Sequence, residues 1–348
     1  MIGFALLGCG RIGTLHARTI AAHPRAELVA CYDVAGDAAD DVARAVGARA
    51  AGSVDEALHH PRVRAVLIAS STDTHAGLIV QAVRAGKAVL CEKPIDLTMA
   101  RVEACWREIA PLDPLVAVGF NRRFDPSFRA LRDRLRSGEI GALEQLVITS
   151  RDPAPPPARY VAASGGLFRD MTIHDFDMAR YLAGDIVQVQ AIGAALFDPA
   201  IREAGDIDAA MVVMRAASGA LVHINNSRRC AYGYDQRIEA FGETGMLQAG
   251  NRHATTVEAW SAGHTRARDP VLDFFVERYR DAYEAELDHF VACVERGTAV
   301  EQGTAPLAGF ADGREALRLA DAALESLTTG RAVRVAPARD AAAEGASS

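Results

Sequence analysis

An imidazole and two carboxylates stand at helical spacing in the middle of the chain. Asp170, His174 and Asp177 are related as i, i+4 and i+7, so one helix would carry all three on the same face. A carboxylate beside an imidazole orients its tautomer and raises its basicity. The pattern predicts that His174, supported by Asp170, removes a hydroxyl proton near neutral pH. A solvated helix face of Asp and His is the alternative interpretation of the same spacing.

Lysine is rare in this chain. Of the 38 lysine and arginine residues, only Lys87 and Lys93 are lysines. An ammonium and a guanidinium differ in shape, in charge delocalisation and in how readily the pKa shifts, so a retained lysine can indicate that an ammonium is required. Lys93 follows a predicted strand and precedes Pro94, a candidate for a cis peptide bond. Since the carboxyl ends of parallel strands line the ligand crevice, Lys93 is predicted to donate to a substrate oxygen as negative charge develops there. A lysine in a surface loop is the alternative.

A glycine-rich turn near the N-terminus has the spacing of a dinucleotide-binding loop. The pattern G-x-G-x-x-G occurs where the first predicted strand meets a helix. Its first glycine permits the tight turn, its second lets the backbone approach a pyrophosphate, and its third lets helix and strand pack closely. Free N–H groups at the start of the helix would face the phosphates. The predicted cofactor-binding residues of this turn are Gly8, Gly10, Arg11, Ile12 and Gly13.

Asp33 ends the second predicted strand, about 20 residues after the last glycine, where a carboxylate that binds a ribose 2′-hydroxyl is expected. A carboxylate there repels the 2′-phosphate of NADP, and residues 34–36 supply no Arg to bind it. The sequence therefore predicts NAD as the cofactor. A helix N-cap role for Asp33 is compatible with this prediction. Three residues at or after the end of the third predicted strand are expected to line the same cofactor site: Ser70, Thr72 and His75.

Short β-branched runs alternate with helical segments over the first 120 residues. Strands are predicted at 4–7, 27–33, 65–70, 88–91 and 115–120, and helices at 13–22, 35–46 and 74–85. Beyond this region, helices are predicted at 126–137, 166–183, 271–296 and 306–328, and strands at 144–150, 187–197, 208–215, 220–226, 236–241 and 255–260. Alternating strands and helices indicate a parallel sheet, whereas strands linked by hairpin turns indicate an antiparallel one.

The pattern as a whole predicts an α/β protein. We expect an N-terminal Rossmann doubly wound parallel sheet over residues 1–120, which would bind NAD. An α+β C-terminal domain with a large, mainly antiparallel sheet is predicted over residues 121–335, for substrate binding and oligomerisation. Residues 336–348 are rich in Ala, Asp, Glu, Gly and Ser and are predicted to be a disordered tail.

Composition excludes several classes of function as first expectations. The 348 residues carry a formal charge of −7, so no global basic field favours nucleic acid or an anionic membrane. No run of apolar residues is long enough for a transmembrane helix, and the apolar opening ends before Arg11, too soon for a signal peptide. Six cysteines without a C-x-x-C pair fit a reducing cytoplasm. Neither H-E-x-x-H nor a Cys/His zinc set occurs, so no metal is expected.

Several motifs in fixed order resemble the glucose-fructose oxidoreductase/inositol dehydrogenase (Gfo/Idh/MocA) superfamily, and most of all its bacterial inositol 2-dehydrogenases. The resemblance covers roughly residues 3–335. It rests on the glycine turn and on five further runs: Glu92-Lys93-Pro94, Gly119-Phe120-Asn121-Arg122-Arg123-Phe124-Asp125, Ser150-Arg151-Asp152-Pro153-Ala154-Pro155-Pro156-Pro157, Asp170-Met171-Thr172-Ile173-His174-Asp175-Phe176-Asp177 and Tyr232-Gly233-Tyr234-Asp235.

The resemblance implies a catalytic set of Lys93, Asp170 and His174. It also implies that Glu92 and Lys93 lie near the cofactor, and that Lys93, Asn121, Asp152, Asp170, His174 and Tyr234 bind a cyclic polyol. Some relatives have Asn where this chain has Asp152, which leaves the preferred substrate open. Members of the family are usually homotetramers packed through the large sheet, and the same is expected here.

The function that the resemblance implies is NAD-dependent oxidation of one axial hydroxyl of myo-inositol to 2-keto-myo-inositol (scyllo-inosose). The nearest alternative is the same chemistry on scyllo-inositol or a related pyranose sugar. Two further alternatives are an NAD-dependent glycosidase, in which oxidation is transient, and a non-catalytic sensor that binds NAD and a partner. The presence of Lys93, Asp170 and His174 argues against the sensor.

Overall fold

The computed structural model describes residues 1–297 and 305–336, and the chain forms two compact units. The first unit comprises Met1–Pro126 together with Tyr279–Leu317, and the second comprises Ser127–Arg278 together with the chain from Arg318 onward. Within the described residues, no helix has both the length and the apolarity needed to cross a bilayer.

The first unit is built on a six-stranded parallel sheet with the order β3-β2-β1-β4-β5-β6. Its strands are β1 (Ile2–Leu7), β2 (Ala26–Tyr32), β3 (Arg49–Ala50), β4 (Val63–Ile68), β5 (Ala88–Cys91) and β6 (Val116–Val118). Its helices up to residue 109 are α1 (Arg11–Ala22), α2 (Gly36–Val46), α3 (Val54–Leu58), α4 (Thr72–Arg84) and α5 (Met99–Ile109). This architecture confirms the predicted doubly wound parallel sheet.

The strand order reverses between β1 and β4, and this reversal positions the cofactor loop. β1 is buried along its whole length and pairs with β2 on one side and β4 on the other. The loop after β1 is held to both neighbours, because Gly8 N–H donates to Tyr32 O at 2.8 Å and Ala69 N–H donates to Leu7 O at 2.7 Å. In open α/β sheets, ligands bind at the carboxyl ends of the strands beside such a reversal.

The second unit contains a seven-stranded sheet with the order β12-β11-β7-β10-β9-β8-β15. Its strands are β7 (Leu143–Arg151), β8 (Ile186–Ala194), β9 (Ala209–Ala216), β10 (Leu221–Ser227), β11 (Asp235–Gly242), β12 (Gly245–Ala249) and β15 (Val333–Arg334), and β13 (Glu258–Ser261) pairs separately with β14 (His264–Arg268). Only β7 and β10 pair in parallel, and the remaining pairs are antiparallel. The predicted large, mainly antiparallel sheet is therefore confirmed.

Several helices and strands of the second unit differ from the predicted ones. The unit contains α6 (Pro126–Arg136, beginning at the boundary), α7 (Ala158–Ser164), α8 (Leu167–Asp170), α9 (Ile173–Ala183), α10 (Pro199–Glu203) and α11 (Phe275–Arg278). The single helix predicted at 166–183 is thus two helices, α8 and α9. The strand predicted to reach residue 197 ends at Ala194, because the Asp208 carboxylate accepts the N–H groups of residues 196–198 and turns the chain into α10.

The helix α12 (Arg280–Arg296), which precedes α13 (Phe310–Thr329), packs in the first unit. Its Leu287 and Phe290 belong to the same apolar core as Phe4 and Leu6 of β1, and the rings of Phe4 and Phe290 are 6.0 Å apart. The predicted division at residue 120 placed this helix in the second domain. An apolar helix face indicates that the helix is packed, but it does not indicate which sheet the helix covers. Residues 337–348, most of the predicted tail, lie outside the described residues.

Candidate active site

Two glycines of the turn, Gly8 and Gly13, are required by close backbone contacts, whereas the third, Gly10, faces open space. Gly8 has φ +101°, and a Cβ there would lie 2.5 Å from the carbonyl of Ala69; a Cβ on Gly13 would lie 2.0 Å from Gly8 O. A Cβ on Gly10 would meet nothing within 4 Å. The backbone therefore has an open face at Gly10, where α1 begins with exposed Arg11 and half-buried Ile12. Such a face, with N–H groups at a helix start, fits a dinucleotide pyrophosphate.

Asp33 is fixed against this turn by both of its carboxylate oxygens. Oδ2 accepts the N–H of Cys9 at 2.7 Å, and Oδ1 accepts the N–H of Ala35 at 2.9 Å. The residue at the N-cap of α2 is Ala35, so Asp33 stabilises the turn before the helix and does not cap it. A carboxylate has about four acceptor positions, and the two that remain can accept the hydroxyls of a ribose.

Ser70, Thr72 and His75 lie where β4 leads into α4. Ser70 Oγ and Thr74 Oγ1 are 2.7 Å apart, and Thr72 is the first residue of α4. His75 is buried, with Nδ1 2.8 Å from Pro94 O and Nε2 3.0 Å from Ser70 O. Its ring therefore joins the turn after β4 to the segment after β5.

Glu92 is held by a partner that sequence reasoning had given no role in the site. Nε2 of buried His16 lies 2.7 Å from Glu92 Oε1, and a Cβ on Gly119 would lie 2.9 Å from Oε2. Burial alone raises the pKa of Glu92, but the hydrogen bond from His16 and the nearby positive charges outweigh it, so this pKa lies below its usual range. Glu92 is thus an anion at the carboxyl end of β5.

The two lysines occupy opposite ends of β5. Lys87 precedes the strand and donates from Nζ to Val63 O at 2.7 Å, which gives it a structural role. Lys93 follows the strand, is half-buried, and is joined to Pro94 by the cis peptide bond considered from the sequence. Asn121, which is 2% exposed, begins the turn after the neighbouring strand β6. Lys93 and Asn121 therefore both follow carboxyl ends of adjacent strands in the first unit.

Strand register in the second unit brings Asp152 and Tyr234 to one end of the large sheet. Arg151, the last residue of β7, pairs with Ser227 at the end of β10 and with Asp235 at the start of β11. Asp152 follows Arg151 and donates its N–H to Ser227 O at 2.9 Å. Tyr234 precedes Asp235 and is 7% exposed.

Asp170 and His174 do not share one helix, which corrects the spacing argument made from the sequence. Asp170 is the last residue of α8 and His174 is the second residue of α9, with a break at Met171 and Thr172. The break forms because Thr172 N–H bonds to Leu167 O at 3.0 Å, and Thr172 Oγ1 donates to the distant Asn226 Oδ1 at 2.7 Å. Asp170 is therefore not part of one continuous helix with His174 and Asp177.

A buried polar network anchors the start of α9 to the same end of the sheet. Ser150 Oγ donates to Asp175 Oδ1 at 2.5 Å, and Asn226 Nδ2 donates to Asp175 Oδ2 at 2.8 Å. Ser150 lies on β7 and Asn226 on β10. Asp175 is fully buried beside His174, so the network places the imidazole-bearing turn over the ends of these two strands.

Sequence reasoning missed two partners of Asp170. Tyr160 on α7 donates its hydroxyl to Oδ1 at 2.9 Å, and Arg228, directly after β10, donates from Nη1 to Oδ2 at 3.1 Å. Arg228 is 1% exposed. Neither residue belongs to a recognisable motif, and no spacing relates residue 160 or 228 to residue 170.

Cys91 ends β5 and is fully buried. Burial raises the pKa of Cys91 well above its usual value, which keeps the thiol protonated and poorly nucleophilic. Among residues 1–297 and 305–336, no three His, Cys, Asp or Glu side chains form a group that could hold a metal ion.

Comparison with known proteins matches both halves of the chain. The model of an oxidoreductase family with an NAD-binding Rossmann fold matches residues 2–120, and that of the GFO/IDH/MocA C-terminal domain matches residues 128–248. An inositol 2-dehydrogenase of Rhizobium meliloti is 46% identical over 336 residues, which cover 96% of this chain and 99% of that protein.

Solved structures show the same similarity. A myo-inositol dehydrogenase from Corynebacterium glutamicum is 49% identical with a TM-score of 0.91, covering 97% of this chain and 100% of that one. A scyllo-inositol dehydrogenase from Lactobacillus casei, solved with NAD(H) and scyllo-inositol, is 30% identical with a TM-score of 0.87, covering 96% and 99%. These findings confirm the resemblance and the NAD cofactor inferred from the sequence. The chain belongs to the Gfo/Idh/MocA family of NAD-binding oxidoreductases.

Proposed function

We propose that this protein oxidises myo-inositol with NAD to 2-keto-myo-inositol (scyllo-inosose). The observation that carries the proposal is the grouping of Asp152, Asp170, His174 and Tyr234 at one end of the large sheet. Side chains that donate and accept hydrogen bonds suit a ring that bears a hydroxyl on every carbon. Relatives with nearly full-length similarity are named as inositol dehydrogenases, which supports the same substrate class.

His174 acts as the base in the proposed mechanism. It takes the proton of the substrate hydroxyl, and the negative charge of Asp170 favours the imidazolium that results. Lys93 donates a hydrogen bond to the same oxygen and stabilises the charge that develops on it. NAD, when bound, supplies the nicotinamide ring that accepts the hydride from the carbon bearing that oxygen.

Cofactor binding is assigned to the first unit. The N–H groups from Gly8 to Gly13 would hold the pyrophosphate, and Asp33 would accept the ribose hydroxyls. Ser70, Thr72 and His75 would line the same site, together with Glu92 and Lys93.

Initial rates of NADH formation test the proposal. Purified protein is given NAD with myo-inositol, scyllo-inositol or glucose, and absorbance of NADH is followed in each. Fastest reduction with myo-inositol is the expected result. Faster reduction with scyllo-inositol or glucose would overturn myo-inositol as the substrate and retain NAD-dependent oxidation of a hydroxyl as the reaction. Binding of NAD without reduction in any sample would overturn myo-inositol as the substrate, in favour of an untested polyol, the glycosidase or the sensor.

We further infer a homotetramer that packs through the open face of the large sheet. On this face the strand register places Ile192 opposite Met211, and Phe241 opposite Met246. All four side chains are exposed, as are Val213 and Leu221 on the same face. An exposed apolar patch of this kind is typical of a protein–protein interface. The cytoplasmic location expected from the sequence stays a prediction.

A further inference from the structure

A buried arginine in the second unit lies between two carboxylates. Arg228 donates from Nη1 to Asp170 Oδ2 at 3.1 Å, and its Nη2 lies 3.7 Å from Asp206 Oδ2. The side chain of Arg228 is 1% exposed, that of Asp170 is 12% exposed and that of Asp206 is 14% exposed. Three charges are therefore brought together away from water, where Coulomb interactions are stronger than at the surface.

The remaining contacts fix the positions of both carboxylates. Tyr160 donates to Asp170 Oδ1 at 2.9 Å, so each oxygen of Asp170 has a donor. Asp206 Oδ1 accepts the N–H of Leu167 at 3.1 Å, at the start of α8. It also lies against Gly166, where a Cβ would be 2.9 Å from Oδ1. The helix that ends at Asp170 is thus tied to Asp206 at its other end.

Other charged groups around Asp170 have partners of their own. Arg169 donates to Asp321 of α13 at 2.6 Å, and Asp175 of α9 accepts from Ser150 and Asn226. His174 is the titratable group next along the chain on α9. Arg228 contacts Asp170 directly, and Asp206 brings a charge of the opposite sign to Arg228.

We propose that Arg228 is a positioning residue for the oxidation, and that it sets the proton affinity of Asp170 and His174 against the opposing charge of Asp206. The proposal rests on the proposed function of Asp170 and His174. Arg228 holds Asp170 Oδ2 and places a positive charge beside this carboxylate. Asp206 offsets the positive charge of Arg228, so the three groups together carry a net negative charge that favours protonation of His174.

Two charge-removing variants test this with opposite expected signs. Arg228→Gln removes a positive charge, which favours protonation of His174. The acidic limb of the pH profile of kcat/KM should therefore move to higher pH by about one unit. Asp206→Asn removes a negative charge and keeps the oxygen that accepts from Leu167, so the limb moves to lower pH by about half a unit. Loss of a purely structural contact would lower activity in both variants without moving the limb in opposite directions.

Two further variants separate charge from contact. Tyr160→Phe removes a hydrogen bond to Asp170 without changing its charge, so kcat falls and the acidic limb stays in place. Arg228→Lys retains the positive charge and restores the wild-type limb relative to Arg228→Gln. NAD binding and thermal unfolding of each variant verify folding, and if Arg228→Gln does not fold, Asp206→Asn alone still decides the sign.

A measurement without substrate distinguishes this proposal from the proposed function. The imidazole of His174 is titrated by NMR in wild type, Arg228→Gln and Asp206→Asn, its signal identified by its absence in His174→Gln. Opposite shifts of the midpoint support the proposal even if no inositol is oxidised, in which case only the proposed function is overturned. Unmoved midpoints, or shifts of the same sign, overturn the role of Arg228 even if myo-inositol is oxidised.

Discussion

In the proposed function, the choice between the two nicotinamide cofactors depends on a single side chain, Asp33. Its carboxylate is held against the glycine turn by the N–H groups of Cys9 and Ala35. Asp33→Ser removes the charge that repels a 2′-phosphate, so we expect the ratio of kcat/KM for NAD over NADP to fall about tenfold or more. The variant Asp37→Ser, which removes an exposed charge from the first turn of α2, is the matched control. An unchanged ratio in Asp33→Ser would show that this carboxylate does not contact the ribose.

His174 carries the proton transfer in the proposed mechanism. His174→Ala should lower kcat by about 10² to 10⁴ and leave the affinity for NAD unchanged, since the glycine turn lies in the other unit. His264→Ala removes an exposed imidazole from β14 and should have no effect on turnover. Steady-state kinetics with a separate NAD-binding titration measure both quantities. Turnover of the alanine variant close to that of wild type would remove His174 from the mechanism.

At the scale of elements, local patterns predicted strands and the glycine turn, and long-range contacts decided what the patterns missed. The buried β-branched runs of the first unit and the G-x-G-x-x-G spacing are visible without any partner. The break between α8 and α9 depends on Thr172 bonding to Asn226, which is 54 residues away. Arg228 reaches Asp170 across 58 residues. Helical periodicity in the run from 166 to 183 contains no sign of either contact, so it predicted one helix.

Asp235 ties strands β7 and β11 together at the end of the sheet that carries Asp152. It is fully buried and accepts from Arg151, Tyr232, Arg237 and Asn251. Burial on its own raises the pKa of Asp235, but the hydrogen bonds from Arg237, Tyr232 and Asn251 outweigh it, and this pKa lies below its usual range. Ionised Asp235 therefore stabilises the folded protein.

The pH dependence of that stability follows from the sign of the shift. A lowered pKa gives stabilisation that is present above the unfolded value of about 3.9 and is lost as the pH falls through the folded value. Asp235→Asn should lower the free energy of unfolding by about 3 kcal/mol at neutral pH, and the difference from wild type should shrink below about pH 4. Urea unfolding across pH measures this, with exposed Asp133→Asn as the control. A difference that stayed constant into acid would contradict the role of the ionised carboxylate.

At the scale of the whole molecule, the sequence predicted two units and could not assign every element to them. The helix α12 is apolar on one face wherever it packs, and only the structure shows that Phe290 meets Phe4. The sequence likewise does not reveal which apolar face of the large sheet is exposed. Alternating apolar residues predict a buried face, yet Met211 and Val213 point away from the core of their own unit.

Assembly through that face is tested by placing a charge on it. Val213→Glu would bury an unpaired carboxylate in the interface, which costs several kcal/mol, so we expect the mass in solution to fall from that of a tetramer to that of a dimer or monomer. Leu112→Glu, at an exposed apolar residue of the first unit, should leave the mass unchanged. Light scattering coupled to gel filtration gives the masses. A tetramer that persists in Val213→Glu would place the interface elsewhere.

Because lysine is scarce, reagents that modify primary amines have few side-chain targets in this protein. Its side chains offer them only Lys87 and Lys93, and Lys87 donates to Val63 O. Acylation of side chains is therefore confined to these two lysines, and bound NAD should shield Lys93. Amine coupling to a solid support through a side chain would use Lys87 or Lys93. The second of these is the residue that the proposed mechanism places beside the substrate oxygen. If Lys93 has the role given to it in the proposed mechanism, one label at Lys93 per chain should abolish turnover.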